Sequence, residues 1–156
     1  MKFPYRRYPL KEPAPGFPEG ALYRPRIPIV VVGPDGEAGF EALVDTSSDQ
    51  TTFPSHDLAA IGFSASRRST TTVRGGFGDH EELLHFAPQA ELLLQADGKS
   101  YRWSADIWLS SSENSAAILG HSGFLEHFIA IFNGATRELD LKPTKTFPGK
   151  ATKLWV

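Results

Sequence analysis

Apolar residues in this sequence either alternate with polar residues or form short runs of branched and aromatic side chains, a pattern typical of β-strands. Two such runs, residues 27–32 and 39–44, flank the segment GPDGEA. Proline restricts φ at one corner of a turn, and Asp and Gly tolerate the backbone conformations that a hairpin needs. We therefore predict a β-hairpin here, with Asp45 at the exit of its second strand.

Turn and helix signals divide the rest of the chain. Pro54 begins the segment PSHDLAAIGFS, which predicts a short helix or a single helical turn. The Asp-Gly pair in QADGKSYRW predicts a second hairpin. Late in the chain, GHSGFLEHFIAIF has apolar residues at helical spacing, which predicts a short C-terminal helix. These residues are Phe124, Leu125, Phe128 and Ile129. Together the elements predict an all-β, barrel-like domain.

The composition limits the class of protein. A chain of 156 residues accommodates one hydrophobic core, and 16 Lys and Arg against 18 Asp and Glu give a net charge of −2. This balance offers no electrostatic basis for a nucleic-acid or membrane partner. Cysteine is absent and the five histidines lack metal-ligand spacing, so we expect no metal and no cofactor. Without a signal-peptide pattern or an apolar run of roughly 20 residues, we expect a cytoplasmic protein.

The two terminal segments differ in character from the centre of the chain. Residues 1–22 contain prolines and aromatics without a regular period, which predicts an extended arm packed on its own domain or on a second subunit. Residues 143–156 are lysine-rich and are expected to form a C-terminal tail. The central domain is then expected over residues 23–142.

The segment ALVDTSSDQTTFP places an acid directly after an apolar strand. Asp45, Thr46 and Ser47 have the order that an aspartic protease needs. The strand holds the acid, neighbouring N–H groups bond its carboxylate, and the Thr hydroxyl grips a partner loop. The chemistry requires two facing carboxylates that share one proton. Because the chain contains no second Asp-Thr or Asp-Ser run, the partner acid has to be Asp45 of a second copy. The alternative for this tripeptide is a solvated loop without a catalytic role.

Two further motifs bear on this choice. The glycines of VRGGFG suit a mobile hairpin tip that covers a groove. The segment AAILGHSGF places two apolar residues and Gly120 before the predicted late helix, and glycine allows a strand to pass close to the acid loop.

These motifs, in this order, resemble the retropepsin-like aspartic proteases, the family of retroviral proteases and their cellular relatives. The resemblance extends over about residues 23–142 and implies a closed antiparallel β-barrel with one short C-terminal helix, active as a homodimer. It implies that Asp45 is the catalytic aspartate, that Thr46 grips across the dimer, and that Ser47 stands where the family usually has Gly. The implied substrate-binding residues are Val73, Arg74, Gly75, Gly76, Phe77 and Gly78 in a flap, and Ile118, Leu119 and Gly120 in a strand under the acid loop.

The sequence is therefore interpreted as an aspartic endopeptidase that hydrolyses a peptide or protein substrate between two Asp45 carboxylates. The alternative is a non-catalytic barrel that retains the fold for dimerisation or peptide binding, with Ser47 marking lost activity.

Overall fold

Strands make up most of the protein in the computed structural model, which describes residues 1–64, 70–74, 81–112 and 115–154. The strands are β1 (Lys2–Pro4), β2 (Arg6–Pro9), β3 (Ala21–Arg24), β4 (Arg26–Gly33), β5 (Gly36–Val44), β6 (Thr52–Pro54), β7 (Thr70–Arg74), β8 (Glu81–Ala96), β9 (Lys99–Ser110), β10 (Ile118–Leu119), β11 (Phe128–Asn133), β12 (Glu138–Pro143) and β13 (Lys150–Lys153). One short helix, α1 (Ser55–Ala59), follows β6. In the described ranges no helix has the length and apolar character to cross a bilayer.

Six strands form a closed barrel. Their order is β9, β6, β10, β5, β4 and β8, and the pairing of β8 with β9 closes the ring. Strand β13 extends this sheet beyond β9, and β7 extends it beyond β8. Strands β1, β12 and β11 form a separate three-stranded sheet, and β2 pairs with β3. The predicted closed all-β barrel is therefore confirmed.

The core follows from the two-residue period of the strands. Strand β4 buries Ile27, Ile29 and Val31 completely, while Pro28 between them is exposed. Strand β9 buries every second side chain in the same way along most of its length, namely Tyr101, Trp103, Ala105, Ile107 and Leu109. Since alternate side chains point to opposite faces of a strand, one face of each strand lines the barrel interior and the other faces outward.

Both predicted hairpins are present. Strands β4 and β5 pair along their whole length around the turn at Pro34 and Asp35. Strands β8 and β9 are joined at Asp97 and Gly98, whose φ values are 52° and 67°. A two-residue hairpin turn with positive φ at both central positions matches the right-handed twist of the strands, which explains the Asp-Gly pair.

The late helix is shorter than predicted. Only Leu125–His127 form a turn of 3-10 helix, and Phe128 begins strand β11, so the prediction that Phe128 and Ile129 continue a helix is wrong. Every residue of β11 pairs with a residue of β12. The Phe128 ring also packs on Trp103, with 5.5 Å between ring centroids. Cross-strand pairing and this packing outweigh the helical spacing of the apolar residues.

The N-terminal arm lies on its own chain. Strand β1 pairs with β12, and Phe3 is buried in the main core. The Arg137 guanidinium donates two hydrogen bonds to the Glu19 carboxylate, which also accepts one from the Tyr23 hydroxyl at 2.7 Å. The Arg137 guanidinium stacks over the Tyr23 ring, 3.6 Å from its centroid. We call this three-residue contact of Glu19, Tyr23 and Arg137 the arm clasp, since it joins the arm to the β11–β12 turn.

The C-terminal segment also docks on the barrel. Strand β13 pairs with β9, and Phe147 packs edge-on against the rings of Tyr101 and Trp103. The division into an arm (residues 1–22), a domain (23–142) and a tail (143–156) stays a prediction.

The arm clasp has a predictable pH dependence. Hydrogen bonds from Arg137 and then Tyr23 lower the pKa of Glu19 from 4.5 to about 2. Because the folded pKa is depressed, the clasp stabilises the arm fully above pH 4.5, and this contribution is lost as the pH falls towards and through 2. We expect Glu19→Gln to speed amide hydrogen exchange in β2 and β3 at pH 6, with the difference from the unmodified protein shrinking at pH 2.

The matched control is Glu12→Gln, which removes an exposed carboxylate from the same arm. It is expected to leave the exchange of β2 and β3 unchanged at both pH values. Equal exchange in the Glu19→Gln and Glu12→Gln proteins at pH 6 would show that the clasp does not hold the arm.

Candidate functional site

The acid loop, residues 45–50, is bonded to strand β10 and the residues that follow it. Strand β10 lies between β5 and β6, parallel to β5 and antiparallel to β6. The Asp45 N–H donates to the Leu119 carbonyl at 3.1 Å. The His121 N–H donates to the Ser48 carbonyl and the Ser122 N–H to that of Asp49, both at 2.9 Å. Strand β10 therefore threads between the two strands that the acid loop connects, and it holds the loop from behind.

Gly120 permits this threading. A Cβ atom at residue 120 would lie 2.2 Å from the Gln50 carbonyl oxygen and 2.7 Å from that of Ser48. The Gly120 N–H donates to the hydroxyl of Thr51, a completely buried residue, at 3.2 Å. The structure thus places Ile118, Leu119 and Gly120 directly behind the acid loop, which is the close passage that the sequence predicts.

The Asp45 carboxylate has two unlike oxygens. Oδ1 accepts a hydrogen bond from the Ser47 N–H at 2.9 Å and a second from the Ser47 hydroxyl at 2.7 Å. No hydrogen-bond donor reaches Oδ2 from the residues that the structure describes. Asp45 itself is half-buried, while Thr46 and Ser47 are exposed. Oδ1 is thus held in orientation by two donors, while Oδ2 accepts no hydrogen bond from the described residues.

Ser47 fits its position without strain. Positive φ angles among the described non-glycine residues occur at Gln89, Asp97 and Arg137, so Ser47 has an ordinary backbone conformation. The sequence did not indicate that its side chain would bond the carboxylate two residues earlier. Short side chains with a hydroxyl form such local hydrogen bonds readily in turns. A serine two residues after an aspartate is therefore the sequence signal that could have indicated this bond.

Three aspartates outside the acid loop lie elsewhere in the fold. Asp97 occupies the β8–β9 turn, Asp106 accepts a hydrogen bond from the Gln89 N–H at 3.0 Å, and Asp140 pairs with Lys2 across β12 and β1. No group of three or more His, Asp or Glu side chains with metal-binding geometry occurs within the described ranges. Among the described residues, no hydrogen bond brings a second carboxyl group to the Asp45 carboxylate.

The predicted flap is described only in part. Val73 and Arg74 end strand β7, which pairs with β8 at one edge of the barrel sheet. The remaining flap residues of the prediction, Gly75, Gly76, Phe77 and Gly78, lie outside the described residues. The roles of all the predicted site residues stay predictions.

Thr51 was missed as a supporting residue. Its hydroxyl accepts from Gly120, and its carbonyl accepts from the Trp108 N–H at 2.9 Å, so it ties the end of the acid loop to both β10 and β9. In the sequence Thr51 is one of two adjacent threonines, and nothing in that pattern distinguishes the one that bonds Gly120.

Comparison with known proteins finds similarity at the level of structure. No protein-family model matches the sequence, and no curated protein does. A solved structure described as "EIAV protease complexed with the inhibitor HBY-793" is similar over 63% of this chain and 82% of its own, with 15% sequence identity and a TM-score of 0.40. These values are too low to assign a function, so the assignment depends on the contacts of Asp45.

The packing at Gly120 predicts the effect of one methyl group. We expect Gly120→Ala to lower the free energy of unfolding by about 1–3 kcal/mol, because the added Cβ overlaps backbone oxygens of the acid loop. The measurement is urea unfolding followed by tryptophan fluorescence.

Gly39→Ala is the matched control, since a Cβ at residue 39 in the neighbouring strand β5 meets no atom within 4 Å. That variant is expected to be as stable as the unmodified protein or slightly more stable. Equal unfolding midpoints for the two alanine variants would contradict the close passage under the acid loop.

Proposed function

We propose that this protein is an aspartic endopeptidase that works as a symmetric homodimer. The observation that supports it most is the carboxylate of Asp45. It lies at the end of a core strand, with Oδ1 held by two donors from Ser47 and Oδ2 open. A carboxylate that is fixed on one side and accessible on the other suits a group that has to meet both a partner acid and a reacting water.

The chemistry follows from pairing two such groups. When two carboxylates face each other at short distance, they cannot both ionise, so the pair holds one shared proton. The ionised member accepts a proton from the attacking water, while the protonated member donates to the oxygen of the peptide carbonyl. The titration belongs to the pair rather than to either Asp45. Hydrolysis by this route requires no cofactor.

The other predicted residues have roles in the same proposal. Thr46 is exposed beside Asp45, a position from which its side chain reaches a second molecule. The flap, residues 73–78, is proposed to cover an extended peptide or protein substrate, whose backbone pairs in the manner of an added strand. Ile118, Leu119 and Gly120, predicted from the sequence as substrate-binding residues, support the acid loop from behind, because Leu119 is completely buried and β10 lies between β5 and β6. The cytoplasmic location and the lack of nucleic-acid and membrane partners stay predictions from the sequence.

Ser47 is a positioning residue in this proposal. Its hydroxyl donates directly to Oδ1 of Asp45 and thereby fixes the orientation of the carboxylate. The opposite hypothesis is that Ser47, in place of the family's usual Gly, marks a barrel that only dimerises or binds peptides. The hydrogen bond from the Ser47 hydroxyl to Asp45 favours the catalytic hypothesis, because it orients the carboxylate through one oxygen and leaves the other without a hydrogen bond.

Replacing Asp45 tests the function directly. We expect the purified protein to cleave a mixed-sequence peptide library between about pH 3 and pH 7, and Asp45→Asn to abolish cleavage, because the amide cannot share the proton. When equal amounts of the two forms are mixed and allowed to exchange subunits, we expect about a quarter of the activity shown by the same total amount of unmodified protein. The reason is that only dimers with two Asp45 residues are active.

Asp97→Asn is the control for loss of one negative charge. It lies in the β8–β9 turn at a positive φ that asparagine also adopts, so activity and stability should be retained. A mixture with half the activity of the same total amount of unmodified protein would show that each subunit works alone. Absence of cleavage by the unmodified dimer at every pH would support the non-catalytic alternative.

Replacing Ser47 separates the two hypotheses about that residue. We expect Ser47→Ala to lower kcat about tenfold with KM unchanged, because it removes one hydrogen bond to a charged group and no substrate contact. The urea unfolding midpoint is expected to equal that of the unmodified protein, so that the lower kcat does not come from a loss of folded protein.

Ser47→Thr keeps the hydroxyl and is expected to restore most of the activity. If Ser47→Gly raises cleavage above that of the unmodified protein, then the serine impairs the site and the positioning role is wrong.

A further inference from the structure

Three arginines and one exposed aromatic ring lie together where the N-terminal arm meets the barrel. The guanidinium carbon of Arg24 lies 5.9 Å and that of Arg26 5.8 Å from the centroid of the Tyr8 ring, which is 37% exposed. Arg6 precedes Tyr8 by two residues in β2, so the two share a face of the strand, and Arg6 lies directly opposite Arg24 in β3. We call these four residues the arm patch.

The three guanidinium groups of the arm patch differ in their partners. Arg6 donates from Nε and Nη2 to the two carboxylate oxygens of Glu41, at 3.0 and 2.8 Å. Arg26 donates from Nη1 to the backbone carbonyl of Glu41 at 2.7 Å, while its buried Nε has no hydrogen-bond partner. Arg24 is exposed and has neither a hydrogen bond nor an ion pair with a described residue. Two of the three cations therefore have no acidic side chain as a partner.

The charge of the arm patch is unfavourable for the fold and unlike that of the remaining chain. Like charges directly opposed across an antiparallel strand pair are destabilising, and Arg6 and Arg24 form such a pair. Residues 1–26 contain six Lys or Arg and two Glu, a net charge of +4, whereas residues 27–156 have a net charge of −6. A positive patch on an otherwise acidic protein attracts an anionic partner, and locally unfavourable arrangements are expected at functional sites.

We infer that the arm patch binds a short acidic segment of the peptide or protein substrate, an inference that rests on the proposed function. The planar guanidinium group of arginine binds a carboxylate through two parallel hydrogen bonds, and the Arg6–Glu41 pair shows this geometry within the patch. The Tyr8 ring holds Arg24 and Arg26 by cation–π contacts. Two cations without an acidic partner match a segment with at least two Asp or Glu residues.

A short acidic segment suits the arm patch better than a nucleic acid or an anionic membrane. Those partners extend beyond a patch of three arginines and meet the rest of the protein, whose net charge of −6 repels them. A segment of a few residues contacts the patch alone.

The arm patch adjoins the strand that carries the candidate acid. The carbonyl of Pro25, which lies between Arg24 and Arg26, accepts a hydrogen bond from the Val44 N–H at 2.9 Å, and Asp45 is the next residue. One extended substrate is therefore expected to reach both places, with its acidic residues to one side of the cleaved bond. Arg6 and Tyr8 belong to the arm, outside residues 23–142 that resemble the retropepsins, so that resemblance does not imply this contact.

Binding can be measured with the Asp45→Asn protein, so that the probe is not cleaved. The probe is a short fluorescein-labelled peptide of alternating Glu and Ser, and its control has Gln in place of every Glu. We expect the Glu peptide to bind at least about tenfold more tightly in fluorescence polarisation, with a difference that shrinks as salt screens the charges. Replacing Arg24 and Arg26 together by Gln should weaken binding of the Glu peptide about tenfold and leave the Gln peptide unchanged.

The matched control combines Lys145→Gln with Lys150→Gln, which removes the same charge from exposed positions of the C-terminal segment. It is expected to bind both peptides like the protein with all its lysines. Arg24→Gln alone removes an exposed side chain without a hydrogen bond, so it should fold, as circular dichroism would check, and weaken the Glu peptide about threefold. Equal binding of the Glu and Gln peptides, or an equal loss in the lysine control, would overturn the inference. Tighter binding of a single-stranded oligonucleotide or of phosphatidylserine vesicles than of the Glu peptide would also overturn it.

Kinetics separate this inference from the proposed function. In the protein with Asp45 intact, replacing Arg24 and Arg26 by Gln should raise KM about tenfold at unchanged kcat for a cleaved peptide that carries the Glu-Ser segment. The reason is that the patch contact is the same in the ground state and the transition state. Selective binding of the Glu peptide without any cleavage by the unmodified protein would support the patch and contradict the function. Cleavage with equal KM for substrates with the Glu and the Gln segment would support the function and overturn the patch.

Discussion

The close passage of strand β10 behind the acid loop is the constraint on which the rest of the structure depends. Gly120 brings two backbone segments so near that one Cβ would overlap the Gln50 carbonyl oxygen. The same strand closes the barrel between β5 and β6 and accepts a hydrogen bond from the N–H of Asp45. The closure of the barrel and the backbone position of the acid therefore depend on the same close passage, while Ser47 orients the carboxylate.

In the proposed function, a single chain supplies one of the two carboxylates that hydrolysis needs. The structure fixes one oxygen of Asp45 through Ser47 and leaves the other open, while Asp97, Asp106 and Asp140 lie at other places in the fold. The proposal therefore requires a second copy of the chain, whose Asp45 would complete the pair.

Much of the fold was readable from local sequence, and the site was readable in part. The β4–β5 hairpin, the Asp97-Gly98 turn and the position of Asp45 after an apolar strand follow from turn chemistry and two-residue periodicity. The late helix did not follow, because the apolar residues around Phe128 satisfy both a helical and a strand pattern. Pairing with β12 and packing on Trp103 decided between the two, and both partners are distant in the sequence.

By itself, the sequence determined the strands, their turns, the isolated acid and the need for a second copy if that acid is to have a partner. These are consequences of side-chain chemistry within a few residues, together with a count of motifs. Only the tertiary structure decided that β10 passes between β5 and β6, that Thr51 bonds Gly120, and that Phe128 begins a strand paired with β12. Such contacts join segments far apart in the chain, and their energies depend on which backbone groups remain unpaired after folding.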